Sequence, residues 1–179
     1  EQSPSAPATI VTGGWRVYRT TNSGSNWTNL YSLPSGGGLV SAIAISLTDD
    51  TLLVGTSTGK LYRSTNSGTA WAEVGPSGLG YVTDAEIAIS NGNAAYITVS
   101  GYGSGGHVFK TTDLGAATPT WTDISSALPA LPVLSVAIDR YDPAHLLIGS
   151  DAGVFESTNS GSAWVTVNGG FAAAASVED

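Results

Sequence analysis

The chain contains no cysteine and only six lysine and arginine residues among 179. Without thiols it can form no disulfide framework, thiolate zinc site or cysteine nucleophile. A formal net charge of −8 leaves too few basic groups for a phosphate-binding face, which excludes nucleic acid as a partner. No apolar run approaches the ~18 residues that span a bilayer, so membrane insertion is not predicted either.

Charged residues are also scarce, at 11% of the chain against about 25% in typical domains. The 23 glycines favour short strands joined by tight turns over charged surface helices. Residues 1–8 are polar and proline-rich and lack the basic start of a signal peptide, so we expect a flexible leader. The two histidines lie far apart without metal-ligand spacing, and neither a metal nor a cofactor is predicted.

The chain does contain a short phrase that returns four times and ends on tryptophan. Its glycines are 44, 47 and 46 residues apart, and a period of about 40–50 residues is typical of blade repeats. The third copy has three extra residues before its tryptophan. The copies place their turn residues at Asn22, Gly24 and Trp27; Asn66, Gly68 and Trp71; Asp113, Gly115 and Trp121; and Asn159, Gly161 and Trp164.

Each recurrent residue has a structural explanation. The Asn or Asp side chain can accept hydrogen bonds from backbone N–H groups ahead of it, an Asx-turn. The Ser or Thr two residues earlier can fix the loop through its hydroxyl, and the glycine supplies positive φ. The tryptophan returns the chain to the sheet and is expected to bury its ring.

Alignment on this turn divides the chain into units of about 9–35, 36–77, 78–128 and 129–170. Residues 40–46 alternate large and small side chains, the pattern of a half-buried strand, and Asn91-Gly92 is a strong hairpin signal. Each later unit contains four short antiparallel strands, whereas the first has no leading strand. Residues 171–179 begin a further blade or supply a strand that closes the ring; both alternatives stay open.

The repeated turn resembles the Asp-box, or bacterial neuraminidase repeat, with Asn replacing Asp in three copies. The resemblance implies an all-β fold, a β-propeller segment of about four blades with four-stranded antiparallel sheets. Residues 131–157 are similar to blades of xyloglucan-degrading glycoside hydrolases, sortilin-type propellers and bacterial surface proteins. These resemblances further imply an extracellular or cell-surface location, with the remaining blades or further copies of the chain as partners.

Two enzymatic interpretations were tested against the residues. A sialidase needs converging arginines, but Arg19 and Arg63 fall at one repeat position on different blades and are expected to stay apart. A glycoside hydrolase needs paired carboxylates, and Asp84 and Glu86 on a leading strand are the candidates. In our alignment Glu86 shares its position with Ala42 and Ser135. The alternative for both carboxylates is a solvated place in the central channel.

Several aromatic residues fall outside the repeated tryptophan position. Tyr81, Tyr102 and Tyr141 lie in predicted loops, where their rings could contact a glycan or protein ligand. Trp15 and Tyr31 could also do so, or could pack between blades. The sequence therefore favours a non-catalytic structural or binding module over its alternative, a fragment of a glycoside hydrolase acting on β-glucan or xyloglucan.

Overall fold

A computed structural model describes residues 1–103, 105–167 and 169, and these form strands and turns only. The predicted segment 171–179 lies outside the described residues. The strands are β1 (Ile10–Gly13), β2 (Arg16–Thr20), β3 (Thr28–Ser32), β4 (Val40–Ile45), β5 (Leu52–Thr56), β6 (Leu61–Ser64), β7 (Ala72–Glu73), β8 (Val82–Ile87), β9 (Ala95–Val99), β10 (Val108–Thr111), β11 (Thr122–Asp123), β12 (Val133–Ile138), β13 (Leu146–Ser150), β14 (Gly153–Ser157) and β15 (Val165–Thr166).

The strands form four antiparallel sheets in chain order. The first sheet contains β1–β3, and the others contain β4–β7, β8–β11 and β12–β15. The leading strands β4, β8 and β12 contact one another in turn, which is the radial arrangement of propeller blades. The prediction of an all-β propeller segment of about four blades is confirmed.

The core lies between successive sheets. Each of three apolar clusters combines residues of two neighbouring sheets. Val11 of the first sheet packs in one cluster with Leu52 and Val54 of the second, and Tyr96 of the third sheet shares another with Ile148 of the fourth. The sheets therefore bury apolar area mainly against one another, so each depends on its neighbours for stability.

The leading strands of the last three sheets share one irregularity. The pairing register shifts between Val40 and Ala42, and at the matching places in β8 and β12. Beyond the shift, Asp84 pairs with Thr98 as Ala42 pairs with Gly55. Asp84 therefore shares the position of Ala42. The sequence alignment, which placed Glu86 there, is wrong by two residues.

The N-terminal segment differs from the flexible leader that the sequence suggested. Gln2 forms an antiparallel bridge with Ile10, and the Ser3 N–H donates to the Thr9 carbonyl at 2.9 Å. Ser3 is buried, and its hydroxyl accepts from the N–H of Ala6 at 2.9 Å. Residues 1–3 thus lie where the first sheet lacks a leading strand, because β1 offers them a free hydrogen-bonding edge.

Candidate functional site

The side chains of the repeated turns bind their own backbone. The side-chain oxygen of Asn66 accepts from the Ala70 N–H at 2.8 Å, and Asp113 accepts from Thr120 N–H at 2.8 Å across its longer loop. Asn22 and Asn159 accept in the same way at 2.9 and 2.8 Å. These side chains are used to hold the turns, which makes the turns part of the scaffold.

Positive φ occurs in three of the four turns and involves a serine as well as the glycine; Gly115, in the longer third turn, does not have positive φ, so the prediction for that glycine is wrong. Gly24, Gly68 and Gly161 have φ of 88°, 90° and 84°, and the serines before them have 55°, 57° and 59°. The Ser64 hydroxyl accepts from the Gly68 N–H at 2.9 Å, which holds this left-handed pair in place. The glycine was predicted because glycine adopts positive φ readily. The serine was not predicted, because non-glycine residues usually avoid positive φ.

The four tryptophans do not share one environment. The indole N–H of Trp121 donates to the Val74 carbonyl of the preceding sheet at 2.8 Å, and Trp164 donates to Ile124 at 2.9 Å. Trp71 stacks on Tyr31 of the preceding sheet, with ring centroids 5.0 Å apart. Trp27 is 45% exposed. Its expected burial is wrong because no described sheet covers that side of the first sheet.

The arginines at the shared repeat position link neighbouring sheets. Arg19 donates from the first sheet to the Ser67 carbonyl of the second at 3.1 Å. Arg63, only 7% exposed, donates from the second sheet to the carbonyls of Leu114 and Ala116 in the third. Each guanidinium thus binds backbone at a different junction, an arrangement that offers no convergent clamp for a carboxylate ligand.

Asp84 and Glu86 project from β8 toward the leading strand of the fourth sheet. Asp84 accepts from the Val136 N–H at 3.0 Å, and Glu86 accepts from the Ile138 N–H at 3.2 Å. Both also line a channel-side cavity of about 280 Å³ together with Glu1. The two carboxylates therefore satisfy free N–H groups along the edge of β12, and they lie side by side on one strand.

The environment of Glu86 favours its neutral form. The pKa of this carboxyl is raised from 4.5 to about 7: burial is the largest cause, the bond from the Ile138 N–H opposes it, and the negative charges of Asp84 and Glu1 add to the rise. A glutamate with this pKa holds a proton well above its usual range. A group with this pKa suits a general acid. Burial between the sheets also explains the same pKa without any catalytic role.

Glu86→Gln should stabilise the protein above pH 7 and leave it almost unchanged near pH 4. The native pKa exceeds the unfolded value, so the contribution of Glu86 is complete below about 4.5 and is lost as the pH rises through about 7. Glutamine keeps an acceptor for Ile138 without the charge. After allowance for partial exposure we expect a gain of about 1–2 kcal/mol at pH 8 in urea unfolding.

Glu73→Gln is the matched control, because Glu73 forms an exposed ion pair with Lys60 at 2.7 Å. It should change the stability little and show no gain at pH 8. An equal effect of Glu86→Gln at pH 4 and pH 8 would contradict the assignment of the pH dependence to this carboxyl.

Two of the three loop tyrosines lie at one end of the sheets, and the third lies at the other end. Tyr81 directly precedes β8 and Tyr102 follows β9, so both emerge at the end where Trp15 joins β1 to β2. We call Trp15, Tyr81 and Tyr102 the aromatic face; they are 72%, 48% and 78% exposed. Tyr141 lies between β12 and β13, at the end that carries the repeated turns.

A bond between two loops supports the aromatic face. The Tyr102 hydroxyl lies 3.1 Å from a carboxylate oxygen of Asp151, which belongs to the loop between β13 and β14. This bond raises the pKa of the Tyr102 phenol. The sequence predicted Tyr102 as an isolated loop residue, because a contact 49 residues apart leaves no local signal.

Near the repeated turns, the His145 ring lies close to two acidic side chains. His145 Nε2 lies 2.7 Å from Glu156, and Nδ1 lies 3.7 Å from Asp139. Bonds from the N–H groups of Tyr141 and Asp142 lower the pKa of Asp139. Within the part of the chain that the structure describes, no group of three His, Asp or Glu side chains is arranged to hold a metal ion.

Comparison with solved structures places this geometry among β-propellers. The chain superimposes on a GH74 enzyme from Niastella koreensis with a TM-score of 0.71 and 21% identity, over 93% of this chain and 23% of that one. On the GH74 xyloglucanase from Xanthomonas campestris the TM-score is 0.67 with 16% identity, over 90% of this chain and 28% of that one. On YCF48 bound to D1 peptide the TM-score is 0.64 with 19% identity, over 89% of this chain and 49% of that one. No family model and no curated protein matches.

The fold and these likenesses define the class of protein: the chain is a β-propeller segment. It spans about a quarter of the two GH74 chains and about half of YCF48. The likenesses include enzymes and a peptide-bound propeller, so they show the fold and leave the activity to the residues. None of the described segments forms a helix long and apolar enough to cross a membrane.

Proposed function

We propose that this chain is a non-catalytic binding module of a secreted or cell-surface protein and that it presents propeller loops to a glycan or protein ligand. The observation that carries the proposal is the aromatic face, where Trp15, Tyr81 and Tyr102 are exposed at one end of the sheets. Scattered exposed apolar residues are ordinary, but several on one face mark an interaction surface.

The chemistry of the channel supports a binding role over catalysis. Asp84 and Glu86 both accept hydrogen bonds from β12, so their oxygens serve to join two sheets. An inverting pair would instead face each other across a cleft about 6.5–9.5 Å wide. The raised pKa of Glu86, about 7, keeps a fragment of a glycoside hydrolase acting on β-glucan or xyloglucan as the alternative.

The proposed structural partners are the remaining blades of a propeller or further copies of this chain. At the first sheet, Trp27 is exposed where the preceding sheet covers its counterparts. At the fourth sheet, Leu134 and Leu147 are 50% and 40% exposed, while Leu53, which pairs in β5 as Leu147 does in β13, is fully buried. These two sides of the segment are the ones that another sheet would cover.

Replacing both Trp15 and Tyr102 with alanine should weaken glycan binding by about tenfold or more, since two exposed rings would be lost. Affinity electrophoresis through gels that contain xyloglucan or barley β-glucan measures the effect as lost retardation. Tyr141→Ala is the matched control: this ring is 89% exposed but lies at the opposite end, so retardation should be unchanged.

Equal retardation of the double variant and the unchanged protein would contradict a ligand on the aromatic face. Migration that neither polysaccharide slows would leave a protein as the ligand of this face. The same polysaccharides test the alternative: release of reducing ends that disappears in Glu86→Gln would favour a hydrolase.

A further inference from the structure

The junction between the third and fourth sheets contains a cleft that no part of the proposed function uses. It has a volume of about 500 Å³, within the ~300–1,000 Å³ range of small-ligand sites. It opens beside the repeated turns, at the opposite end of the sheets from the aromatic face. Its polar lining includes Lys110, Asp113, Thr120, Thr122, Ser160 and Ser162.

The other two junctions show what closes this space elsewhere. Lys110 pairs with Thr122 as Arg63 pairs with Ala72 and Arg19 with Thr28, so the three basic residues share one position. Arg19 and Arg63 each donate to backbone carbonyls in the turn of the following sheet. An arginine side chain therefore links the sheets at the first two junctions.

Lys110 does not reach across in the same way. Its ammonium lies 5.9 Å from the ring centroid of Tyr96, within its own sheet. The turn carbonyl that corresponds to Ser67 belongs to Ser160, which lines the cleft with Lys110. The lysine side chain is also one bond shorter than that of arginine, whose Nη1 makes the links at the other junctions, so the third junction stays open to solvent.

The lining identifies the chemistry of a ligand. Lys110 and Asp113 carry opposite charges, and bonds from Thr111 and Thr120 lower the pKa of Asp113, which keeps it ionised. Five hydroxyl side chains line the cleft with this pair, and Ile124 adds an apolar contact. Because the two charges balance, the cleft does not favour an anion or a cation; hydroxyls with a small apolar surface suit a neutral sugar.

We propose that this cleft is a second binding site, which holds one or two units of a neutral saccharide. Sugar hydroxyls take the place that the arginine occupies at the other junctions: they donate to the Ser160 carbonyl and to Asp113 and accept from Lys110. The site lies at the opposite end of the sheets from Trp15 and Tyr102, and it does not depend on the function proposed for them.

The test is an amide NMR titration of the whole chain with cellobiose and xylobiose, and separately with sodium sulfate. We expect one or both disaccharides to shift the amides of Thr122, Ser160 and Ser162 with a Kd of about 1 mM, and sulfate to leave them unchanged. Absence of these shifts with both disaccharides at about 10 mM overturns the site, and so do equal shifts with sulfate.

Lys110→Arg is the decisive variant, because it restores the residue found at the other two junctions. The arginine should bridge to Ser160, close the cleft and weaken disaccharide binding at least about tenfold, while the melting temperature stays equal or rises. Undiminished binding in a folded Lys110→Arg protein overturns the proposal. Binding to xyloglucan through Trp15 and Tyr102 should be unaffected, which separates failure of this site from failure of the aromatic face.

A smaller change supplies a matched pair. Thr122→Ala removes one hydroxyl from the cleft and should weaken binding about three- to tenfold. Thr28→Ala removes the hydroxyl at the same repeat position in the first sheet and should leave the affinity unchanged. Equal effects of the two variants would place the sugar elsewhere on the chain.

Discussion

Trp164→Ala should lower the free energy of unfolding by about 3–5 kcal/mol, the range for removal of a buried large aromatic ring. Trp164 is 9% exposed, packs in the cluster between the third and fourth sheets and donates to the Ile124 carbonyl at 2.9 Å. Its loss leaves both a cavity and an unpaired carbonyl at a junction on which the fourth sheet depends. Urea unfolding followed by circular dichroism measures the effect.

Trp27→Ala is the matched control, since it changes the same residue of the repeat where the ring is 45% exposed. We expect a loss within about 1 kcal/mol, because surface truncations remove few contacts. Similar losses for both variants would show that the ring stabilises its own turn and not the junction between sheets. Unchanged m-values are needed for this comparison, because a lower m would indicate separate unfolding of the fourth sheet.

The contrast between Trp164 and Trp27 shows how far the sequence could predict the fold. The period of the turns and the alternating strands determined the four sheets, since both depend on residues close together in the chain. The environments of the tryptophans depend on the neighbouring sheet, which the local pattern does not contain. The repeat therefore predicted one environment for the four tryptophans, whereas the structure gives them different environments.

The candidate site was less predictable for the same reason. Asp84 and Glu86 were chosen as carboxylates on a leading strand, but their partners Val136 and Ile138 lie 52 residues further along the chain. The register shift within β8 was also invisible in the alternation of side chains, so the alignment gave Glu86 the place of Asp84. Neither the backbone partners nor the pKa of about 7 follows from residue type alone.

The arginine position illustrates a difference within the repeat that carries physical meaning. Arg19, Arg63 and Lys110 are followed at the same place by Glu156, which pairs with Val165 in the fourth sheet. Glu156 contacts His145 of its own sheet and cannot donate to a carbonyl. The link between sheets is thus strongest at the second junction, where two carbonyls share one buried guanidinium.

Arg63→Ala should lower the free energy of unfolding by about 2–4 kcal/mol. The change leaves the carbonyls of Leu114 and Ala116 without their donor in a buried place, and an unsatisfied buried group costs about 1–3 kcal/mol. Burial also lowers the pKa of the Arg63 guanidinium, a sign that its desolvation already opposes folding. Urea unfolding at neutral pH measures the loss.

Two further variants separate geometry from charge. Arg63 donates to both carbonyls from Nη1; Arg63→Lys keeps the positive charge, but its nitrogen lies one bond nearer the backbone, so it should recover only part of the loss. Arg19→Ala removes a single bond at a more exposed junction and should cost about 1 kcal/mol or less. Full recovery by lysine would show that charge alone suffices at this position, and it would remove the reason for which the Lys110 cleft stays open.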